Sequence, residues 1–214
     1  MEVKLLNATP LSVADIAICK CYSNTPNEDI EKQKSRINKV ANVQKHASTI
    51  EHIVFSFDID GISRACLQEL ARHRIASYTV KSSRYTLQEL KNEDCFLTQD
   101  SATLELFSQP SQTQRAEKYL VFTNDLEIDM CSINALDYLR FMIKQNKSND
   151  KAKYCMPEAY KTSLVMTINA RALQNFLELR TSKHALWEIQ NLAKAMYEAI
   201  PETHKFLFED IINV

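Results

Sequence analysis

The feature that most limits what this chain can fold into is its glycine content: among 214 residues there is one glycine, Gly61. A chain of this length would hold about fifteen glycines at the average usage of roughly 7%. Phosphate-binding loops and dinucleotide fingerprints need several glycines, because the backbone must approach the phosphate groups closely. Neither GxGxxG nor GxxxxGK[ST] can be written with one glycine. Any phosphate that this protein binds must therefore be held by side chains.

Side chains suited to that task are concentrated in RHRIASYTVKSSRY, residues 72–85. This stretch holds Arg72, His73, Arg74, Lys81 and Arg84, with hydroxyl residues among them and no acid. Like charges crowded in this way usually either spread into solvent or face an anion. Because the formal net charge of the whole chain is -1, an anion site has to be local. A protein that coats nucleic acid would usually be more basic.

The distribution of apolar residues and cysteines argues against a membrane protein, a secreted protein and a metal-binding protein. No run approaches the roughly 18 apolar residues of a membrane span, and Glu2 and Asp15 interrupt the segment where a signal peptide needs an apolar core. We therefore expect a cytoplasmic protein with no membrane and no nucleic-acid partner. Its six cysteines should then stay reduced. Cys19 and Cys21 are the only close pair and no CxxC occurs, so no metal site is predicted.

Hydrophobic periodicity predicts helices with several strands, an α+β class. The length of 214 residues allows one domain or two small ones. Residues 52–60 alternate as a strand does, and a stripe of Ile62, Cys66 and Leu70 predicts an amphipathic helix from 61 to about 74. Extended structure should follow over 77–86, and residues 92–113 form a variable surface excursion. Helical spacing returns at 132–145 and again from 169 to 200, where two helices should meet near Thr181 and Ser182.

A second polar cluster lies in NARALQNFLELR, residues 169–180. An ideal helix places Leu173, Phe176 and Arg180 on one face, with Arg171 and Asn175 roughly opposite. An unpaired guanidinium on an apolar face would be costly, so Arg180 needs an anion or a carbonyl as partner. From this segment alone, a snorkelling Arg180 and a solvated Arg171 are an equally good interpretation.

Three motifs, in this order, resemble those of the flavin-dependent thymidylate synthases. RHRxxSxxxxSxR at 72–84 resembles the signature of that family. HASTIEH at 46–52 is similar to its H-x-[ST]-x-x-E-H segment, and NARALQNFLELR at 169–180 to its C-terminal NAR…N…R segment. The resemblance covers the chain from residue 46 to about residue 190.

The resemblance implies a homotetramer that binds FAD and makes dTMP from dUMP. Methylenetetrahydrofolate would supply the one-carbon unit, and NADPH would reduce the flavin. The fold implied is a single catalytic domain over 1–214, a helical and mixed-sheet subunit with active sites formed between subunits. It also agrees with the glycine count, because the family holds FAD without a Rossmann fingerprint.

Matched position by position, the resemblance also implies site residues. The flavin contacts would be Ser48, Arg72, His73, Arg74, Val80, Asn169, Ala170, Arg171 and Asn175. The dUMP site would comprise Glu69, Leu70, Ala71, Arg72, Val80, Lys81, Ser82, Ser83, Arg84, Lys153 and Arg180, with the segments 69–72 and 80–84 coming from different subunits. Arg84 and the backbone near Ser82 would hold the phosphate, since a fork of donors suits it. Arg180 would activate the uracil ring electrostatically, with no enzyme nucleophile.

Three positions depart from the pattern of the family. Thr79-Val80 stands where Asn-Glu or a close relative is common, so a carboxylate is missing. Glu69 stands where glutamine is frequent, and it would repel a nucleotide phosphate unless Arg72 or another cation intervenes. Lys153 stands where an arginine often meets dUMP, which keeps the charge but loses the bidentate fork. We expect these differences to change affinity rather than abolish activity.

Other functions remain open at this level. The same scaffold could serve a flavin reductase or oxidase without methylation, or the basic stretch alone could bind RNA or a nucleotide. Sparse aromatic residues near the cluster argue against RNA. A conventional synthase with a cysteine nucleophile is disfavoured, because no cysteine lies beside a basic cluster in a matching motif. His73 could also be a structural residue at a helix end.

Overall fold

The computed structural model describes residues 1–96 and 115–212, which divide into two compact units. The first unit is built from Met1–Asp60, Gln68–Thr79 and the chain from Leu164 onward, and the second from Gly61–Leu67 and Val80–Ser163. Each unit is therefore discontinuous in the sequence. The prediction of one catalytic domain over 1–214 with active sites between subunits stays a prediction.

Four strands form one sheet in the order β1-β2-β4-β3. Their bounds are Glu2–Ala8 for β1, Val54–Ser63 for β2, Ala76–Val80 for β3 and Lys161–Asn169 for β4. β1 runs antiparallel to β2, with Leu5 opposite Phe57, and the register shifts between Leu5 and Asn7. The alternation predicted for residues 52–60 is confirmed, since Phe55, Phe57 and Ile59 are all fully buried.

Helices make up most of the remaining described chain, and the mixture of helix and sheet confirms the α+β class. The helices are α1 Leu11–Tyr22, α2 Ile30–Ile37, α3 Arg64–Leu70, α4 Ser83–Thr86, α5 Leu126–Lys144, α6 Asn149–Ala152, α7 Ala170–Arg180, α8 Trp187–Glu198 and α9 Glu202–Lys205. A π-helical turn, Asn38–Val43, continues α2, and 3-10 turns cover Ala47–His52, Leu87–Asn92 and Lys153–Cys155. Of the helices within residues 1–96 and 115–212, none is long and apolar enough to cross a bilayer.

The helix predicted from 61 to about 74 was too long at both ends. β2 continues through Ser63, and α3 ends at Leu70. The Tyr78 hydroxyl donates to the carbonyl oxygens of His73 at 2.7 Å and Leu70 at 3.0 Å. The Leu70 carbonyl oxygen also accepts from the backbone N–H of His73 at 3.1 Å, so the chain makes a turn there, and the Tyr78 hydroxyl satisfies carbonyl groups at the end of α3. The apolar stripe was nevertheless correct, because Ile62, Cys66 and Leu70 are all fully buried.

Of the other predicted boundaries, one is wrong, one is confirmed and one lies partly outside the described residues. The extended stretch predicted at 77–86 holds only as far as Val80, because α4 begins at Ser83. The two C-terminal helices are confirmed: α7 ends at Arg180, and α8 begins at Trp187. The excursion predicted at 92–113 lies outside the described residues from position 97 onward.

Each unit has its own apolar core. In the first unit the ring of Phe55 meets that of Phe208 edge to face at 5.9 Å, and α7 adds the fully buried Leu173 and Phe176. The second unit is centred on α5. Its buried cluster includes Leu87, Leu90, Phe96, Tyr119, Ile133, Leu136, Leu139, Ile143 and Tyr160. Such contiguous burial is the main favourable contribution to folding.

Candidate active site

The first unit contains a cavity of about 990 Å³, the upper end of the usual size of about 300–1,000 Å³ for ligand pockets. Three stretches of chain build most of its wall: the turn after α3, the outward face of α7, and the segment that follows α7. The polar residues that line it include Arg72, His73, Arg74, Asn169, Arg171, Asn175, Arg180 and His184. The lining is therefore rich in hydrogen-bond donors and in positive charge, although two acidic residues, Glu51 and Glu178, also line the cavity.

Most of the predicted flavin contacts lie at this cavity. The structure brings together there Arg72, His73, Arg74, Asn169, Arg171 and Asn175. Ser48 instead lines an adjoining cavity of about 520 Å³, which shares the walls formed by Glu51 and Arg171. Ala170 is fully buried at the start of α7, and Val80 belongs to the second unit.

Arg180 lies at the C-terminal end of α7, and its side chain is 15% exposed. All three guanidinium nitrogens are hydrogen bonded. Nε donates to His73 Nε2 at 2.9 Å, Nη1 to Glu69 Oε2 at 2.8 Å, and Nη2 to the Glu69 carbonyl oxygen at 3.1 Å. The expectation that Arg180 needs an anion or carbonyl partner is confirmed, and both partners belong to one residue.

Glu69 bonds two arginines at once. Besides Arg180, it accepts from Arg72 Nη1 at 3.3 Å and 3.4 Å. The hydrogen bond from Arg180 is the main cause that lowers the pKa of Glu69, and Arg72 lowers it further. The carboxylate therefore stays ionised, and the cation that the sequence required beside Glu69 is present twice.

His73 is neutral in this arrangement. Burial is the main cause that lowers the pKa of His73 to about 4, and the neighbouring Arg180 and Arg72 lower it further. Its ring lies edge to face on Phe176, with 4.9 Å between centroids. Because Nε2 accepts from Arg180, the ring proton must reside on Nδ1. His73 thus has both a structural contact and a place on the cavity wall.

The N-terminus of α7 also faces the cavity. Asn169 lies at the N-cap, where its Oδ1 accepts from the backbone N–H of Ala172 at 2.8 Å. Arg171, in the first turn, donates to Gln174 Oε1 at 3.3 Å. A helix N-terminus carries a partial positive charge and suits an anion. The dipole and the guanidinium of Arg171 therefore act in the same direction.

The remaining residues of the predicted dUMP site differ in burial and are distributed over both units. Leu70 is fully buried and Ala71 is exposed. In the second unit Lys81 forms an ion pair with Glu89 at 3.2 Å, and Arg84 Nε lies 2.6 Å from Asp150. Acids from outside the basic stretch therefore compensate part of its charge.

Other members of the substrate set share one neighbourhood within the second unit. Asn149 in α6 donates to the carbonyl oxygen of Arg84 in α4 at 2.6 Å. Ser82 and Ser83 lie at the start of α4, and Lys153 follows the end of α6. The packing of α4 on α6 thus brings the residues 82–84 close to the short helix that Lys153 directly follows.

Several cavity residues were not predicted from the sequence. Ser182, His184 and Ala185 line the wall after α7, and Ile75 follows the RHR triplet. The only available signal was adjacency, because each lies within five residues of a predicted motif. Sequence spacing indicates which residues a helix places on one face, but not which loop residues turn back towards it.

The arrangement suits a ligand with several negative charges. Four arginines, Arg72, Arg74, Arg171 and Arg180, line one cavity and can offer planar forks of N–H donors. The cavity thus supplies through side chains what a glycine-rich loop supplies through backbone N–H groups. Its donor set therefore fits the pyrophosphate of a flavin dinucleotide. Such an α+β fold and site are typical of a protein that takes a polyanionic ligand without a glycine-rich loop.

Comparisons with known proteins agree with this description. The model of the family described as "Thymidylate synthase complementing protein" matches residues 4–204. The chain is 50% identical over 215 residues to the flavin-dependent thymidylate synthase of Campylobacter jejuni strain RM1221, covering 100% of this chain and 98% of that protein. It is 47% identical over 216 residues to the flavin-dependent thymidylate synthase of Helicobacter pylori strain 26695, covering 100% of both chains.

A solved structure matches as well. The crystal structure of thymidylate synthase X from Helicobacter pylori with FAD and dUMP superposes with a TM-score of 0.91 at 45% identity, over 100% of both chains. The chain therefore belongs to the flavin-dependent thymidylate synthase family. The resemblance found in the three motifs is confirmed, and so is the enzyme class, an FAD-dependent thymidylate synthase.

Proposed function

We propose that this protein makes dTMP by reductive methylation of dUMP, with methylenetetrahydrofolate as the one-carbon donor and NADPH as the reductant of its FAD. The observation that carries the proposal is the arginine-lined cavity, on a chain whose relatives are flavin-dependent thymidylate synthases. Bound FAD would supply the hydride that this reaction consumes. The protein's own side chains would bind FAD and dUMP, orient them and polarise the uracil ring.

The residues proposed to hold FAD are those gathered at the cavity and its neighbour. Arg72, Arg74 and Arg171 would compensate the pyrophosphate charge, and the N-terminus of α7 would add its dipole. Ser48 would contribute from the adjoining cavity. Bound dUMP in the Helicobacter pylori relative supports a substrate site of the same kind in this chain.

Arg180 is the residue proposed to activate the uracil. A guanidinium beside the ring favours negative charge at N3 and at the ring carbonyl oxygens, so it lowers the energy of the species that attacks the one-carbon unit. No enzyme nucleophile is then needed. Arg84 is proposed to bind the dUMP phosphate, and it would exchange its exposed pair with Asp150 for that phosphate. An exposed pair of this kind contributes little, so the exchange is inexpensive.

We further propose a homotetramer whose active sites form between subunits. The support is surface chemistry: Tyr85 is 79% exposed, Tyr154 is 89% exposed and Ile75 is 72% exposed. Large apolar side chains of this kind are enriched at interfaces between proteins. The cytoplasmic location stays a prediction from the sequence.

A spectroscopic and product assay tests the proposed reaction. The purified protein is reconstituted with FAD and followed anaerobically in the visible range while NADPH, dUMP and methylenetetrahydrofolate are added in turn. We expect NADPH to bleach the flavin, dUMP to change its rate or spectrum, and dTMP to form only with all components. Bleaching without dTMP would favour the reductase, and failure to bind FAD would favour the nucleotide-binding protein.

Two variants with the same change of charge test the role of Arg180. Arg180→Gln should lower dTMP formation about 100-fold or more, the usual effect of removing a donor that stabilises developing negative charge. Lys183→Gln is the control: Lys183 is exposed and is not part of the cavity wall, so its removal should leave the rate unchanged. Equal losses in the two variants would contradict the assignment.

A further inference from the structure

The last turn of α3 and the turn that follows it supply three acceptors to the guanidinium of Arg180. These acceptors are the Glu69 carboxylate, the Glu69 carbonyl oxygen and His73 Nε2, at distances between 2.8 Å and 3.1 Å. A guanidinium has five N–H donors. Three of them are therefore directed at residues 69–73, and two are left for a ligand in the cavity that Arg180 lines.

The same carboxylate allows two arginines to share one wall. Arg72 and Arg180 both line the cavity, and both donate to Glu69. Their mutual repulsion would drive the two guanidiniums apart if no counter-ion lay between them. The side chain of Arg72 is 72% exposed, whereas that of Arg180 is 15% exposed. The more buried bond to Arg180 is the one that solvent screens less.

The third acceptor depends on the state of His73. Its Nε2 can accept from Arg180 only while the imidazole is neutral with the proton on Nδ1. Burial against Phe176 and the positive charge of Arg180 both favour that state. The set of three acceptors is therefore complete throughout the neutral pH range.

We infer that Glu69 is a positioning residue for the reaction: its carboxylate and carbonyl oxygen, with His73 Nε2, fix the orientation of Arg180, and its charge keeps Arg72 and Arg180 together. The inference rests on the proposed function, in which Arg180 activates the uracil. It gives Glu69 a role that differs from the direct dUMP contact implied by the family resemblance. It also gives a reason for a carboxylate where glutamine is frequent, since one carboxylate accepts from both arginines and neutralises one charge.

Glu69→Gln is the main test, because the amide has nearly the same shape and keeps one acceptor but no charge. We expect kcat for dTMP formation to fall tenfold or more, while the Kd for dUMP, measured by calorimetry on the flavin-loaded variant, changes less than threefold. A tenfold weaker Kd with unchanged kcat would overturn the inference, since Glu69 would then be a substrate-binding residue. Glu69→Asp, which keeps the charge but shortens the reach, should lie between the wild type and Glu69→Gln.

A double-mutant cycle shows whether Glu69 acts through Arg180. In an Arg180→Lys background, Glu69→Gln should cost less than threefold in kcat, because the fork that it orients is gone. Glu178→Gln is the matched control: Glu178 lines the same cavity but makes no hydrogen bond to Arg180, so its effect should be the same in both backgrounds. Additive losses for Glu69→Gln and Arg180→Lys would overturn the inference.

A measurement without turnover separates this inference from the proposed function. In protein labelled with ¹⁵N-arginine and free of flavin, the Nε–H of Arg180, identified by its absence in Arg180→Lys, should exchange slowly with water. Glu69→Gln should speed that exchange at least tenfold, and Glu178→Gln should leave it unchanged. Unchanged exchange in Glu69→Gln would overturn the positioning role. If the wild type made no dTMP, the proposed function would fail while this result still stood.

Discussion

At the scale of the residue, the guanidinium of Arg180 is held by acceptors from a distant part of the chain. Helical spacing placed it on the apolar face of α7, and burial costs then required a partner. The structure confirms that requirement. The partner, however, is Glu69, 111 positions earlier, and no periodicity links residues so far apart. The hydrogen bonds of Tyr78 to the carbonyl oxygens of residues 70 and 73 were missed for a different reason: the residues are close in sequence, but the bonds depend on how β3 returns past the turn.

The protonation of His73 gives a prediction about stability and pH. Burial and Arg180 lower the pKa of His73 in the folded state to about 4, against 6.5 for a free histidine. Between these values the unfolded chain binds the proton and the folded chain does not. The free energy of unfolding should therefore fall as the pH falls from about 6.5 towards 4, and this contribution should be fully present above 6.5.

Chemical denaturation of the flavin-free protein at several pH values measures the effect. His73→Gln should have a smaller dependence of the unfolding free energy on pH in this range. His52→Gln is the control, since His52 is exposed, and its pH dependence should equal that of the wild type. His204, whose pKa burial also lowers, is retained in all three proteins. If His73→Gln and wild type have the same pH dependence, His73 is not held neutral by the fold.

At the scale of the element, α7 carries most of what the site needs. One helix of 11 residues presents Leu173 and Phe176 to the core, Arg171 and Asn175 to the cavity, and Arg180 at its end. The sequence predicted this division correctly, because a regular helix fixes the angle between residues. It did not predict where α3 ends, since that boundary depends on a side chain from β3. Regular elements were predictable, and so was the break after Arg180, but the end of α3, which depends on the Tyr78 side chain, was not.

Asn169 caps α7 and is also proposed to contact FAD, and two substitutions separate these two roles. Asn169→Asp keeps an oxygen acceptor at the N-cap, so the free energy of unfolding should stay nearly unchanged. The same substitution places a carboxylate on the cavity wall, so FAD should bind at least tenfold more weakly. Chemical denaturation and titration with FAD measure the two quantities.

Asn169→Ala should lose both the N-cap and the proposed contact with FAD, and the missing cap should lower the free energy of unfolding by about 1 kcal/mol. Asp125 offers the matched control, because its Oδ1 caps α5 in the second unit by accepting from Glu127 and Ile128. Asp125→Ala should be destabilised to a similar extent yet bind FAD normally. Normal FAD binding by Asn169→Asp would show that this residue is structural only.

At the scale of the whole molecule, the proposed assembly predicts a mass and a pattern of complementation. Four chains of 24.6 kDa each should sediment as a particle of about 98 kDa. Arg180 is bonded to Glu69 in the segment 69–72, and Arg84 lies in the segment 80–84. If these two segments of one site come from different subunits, Arg180→Gln and Arg84→Gln each impair the contribution of a different subunit to that site. Co-expression of the two variants should then restore about a quarter of the wild-type activity by random mixing of subunits.

The controls for complementation are the two variants expressed alone, which should both be nearly inactive. If the mixture is no more active than either variant, each site is built within a single subunit. A mass near 24.6 kDa would exclude the assembly itself. The sequence could supply this prediction only through the resemblance to a family, since neither composition nor periodicity determines which copies of a chain meet.

The order of the strands has a consequence for the synthesis of the chain. β3 leaves the ribosome before β4, yet among the strands within residues 1–96 and 115–212, ordered β1-β2-β4-β3, its one neighbour in the sheet is β4. Residues 81–160 must therefore be translated while β3 has no strand to pair with. The helix that carries Arg171 and Arg180 emerges later still. A nascent chain that stops before residue 161 holds the part of the cavity wall that includes Arg72 and Arg74 but lacks the part that α7 and the segment after it supply, so a late stop codon should be as damaging as an early one.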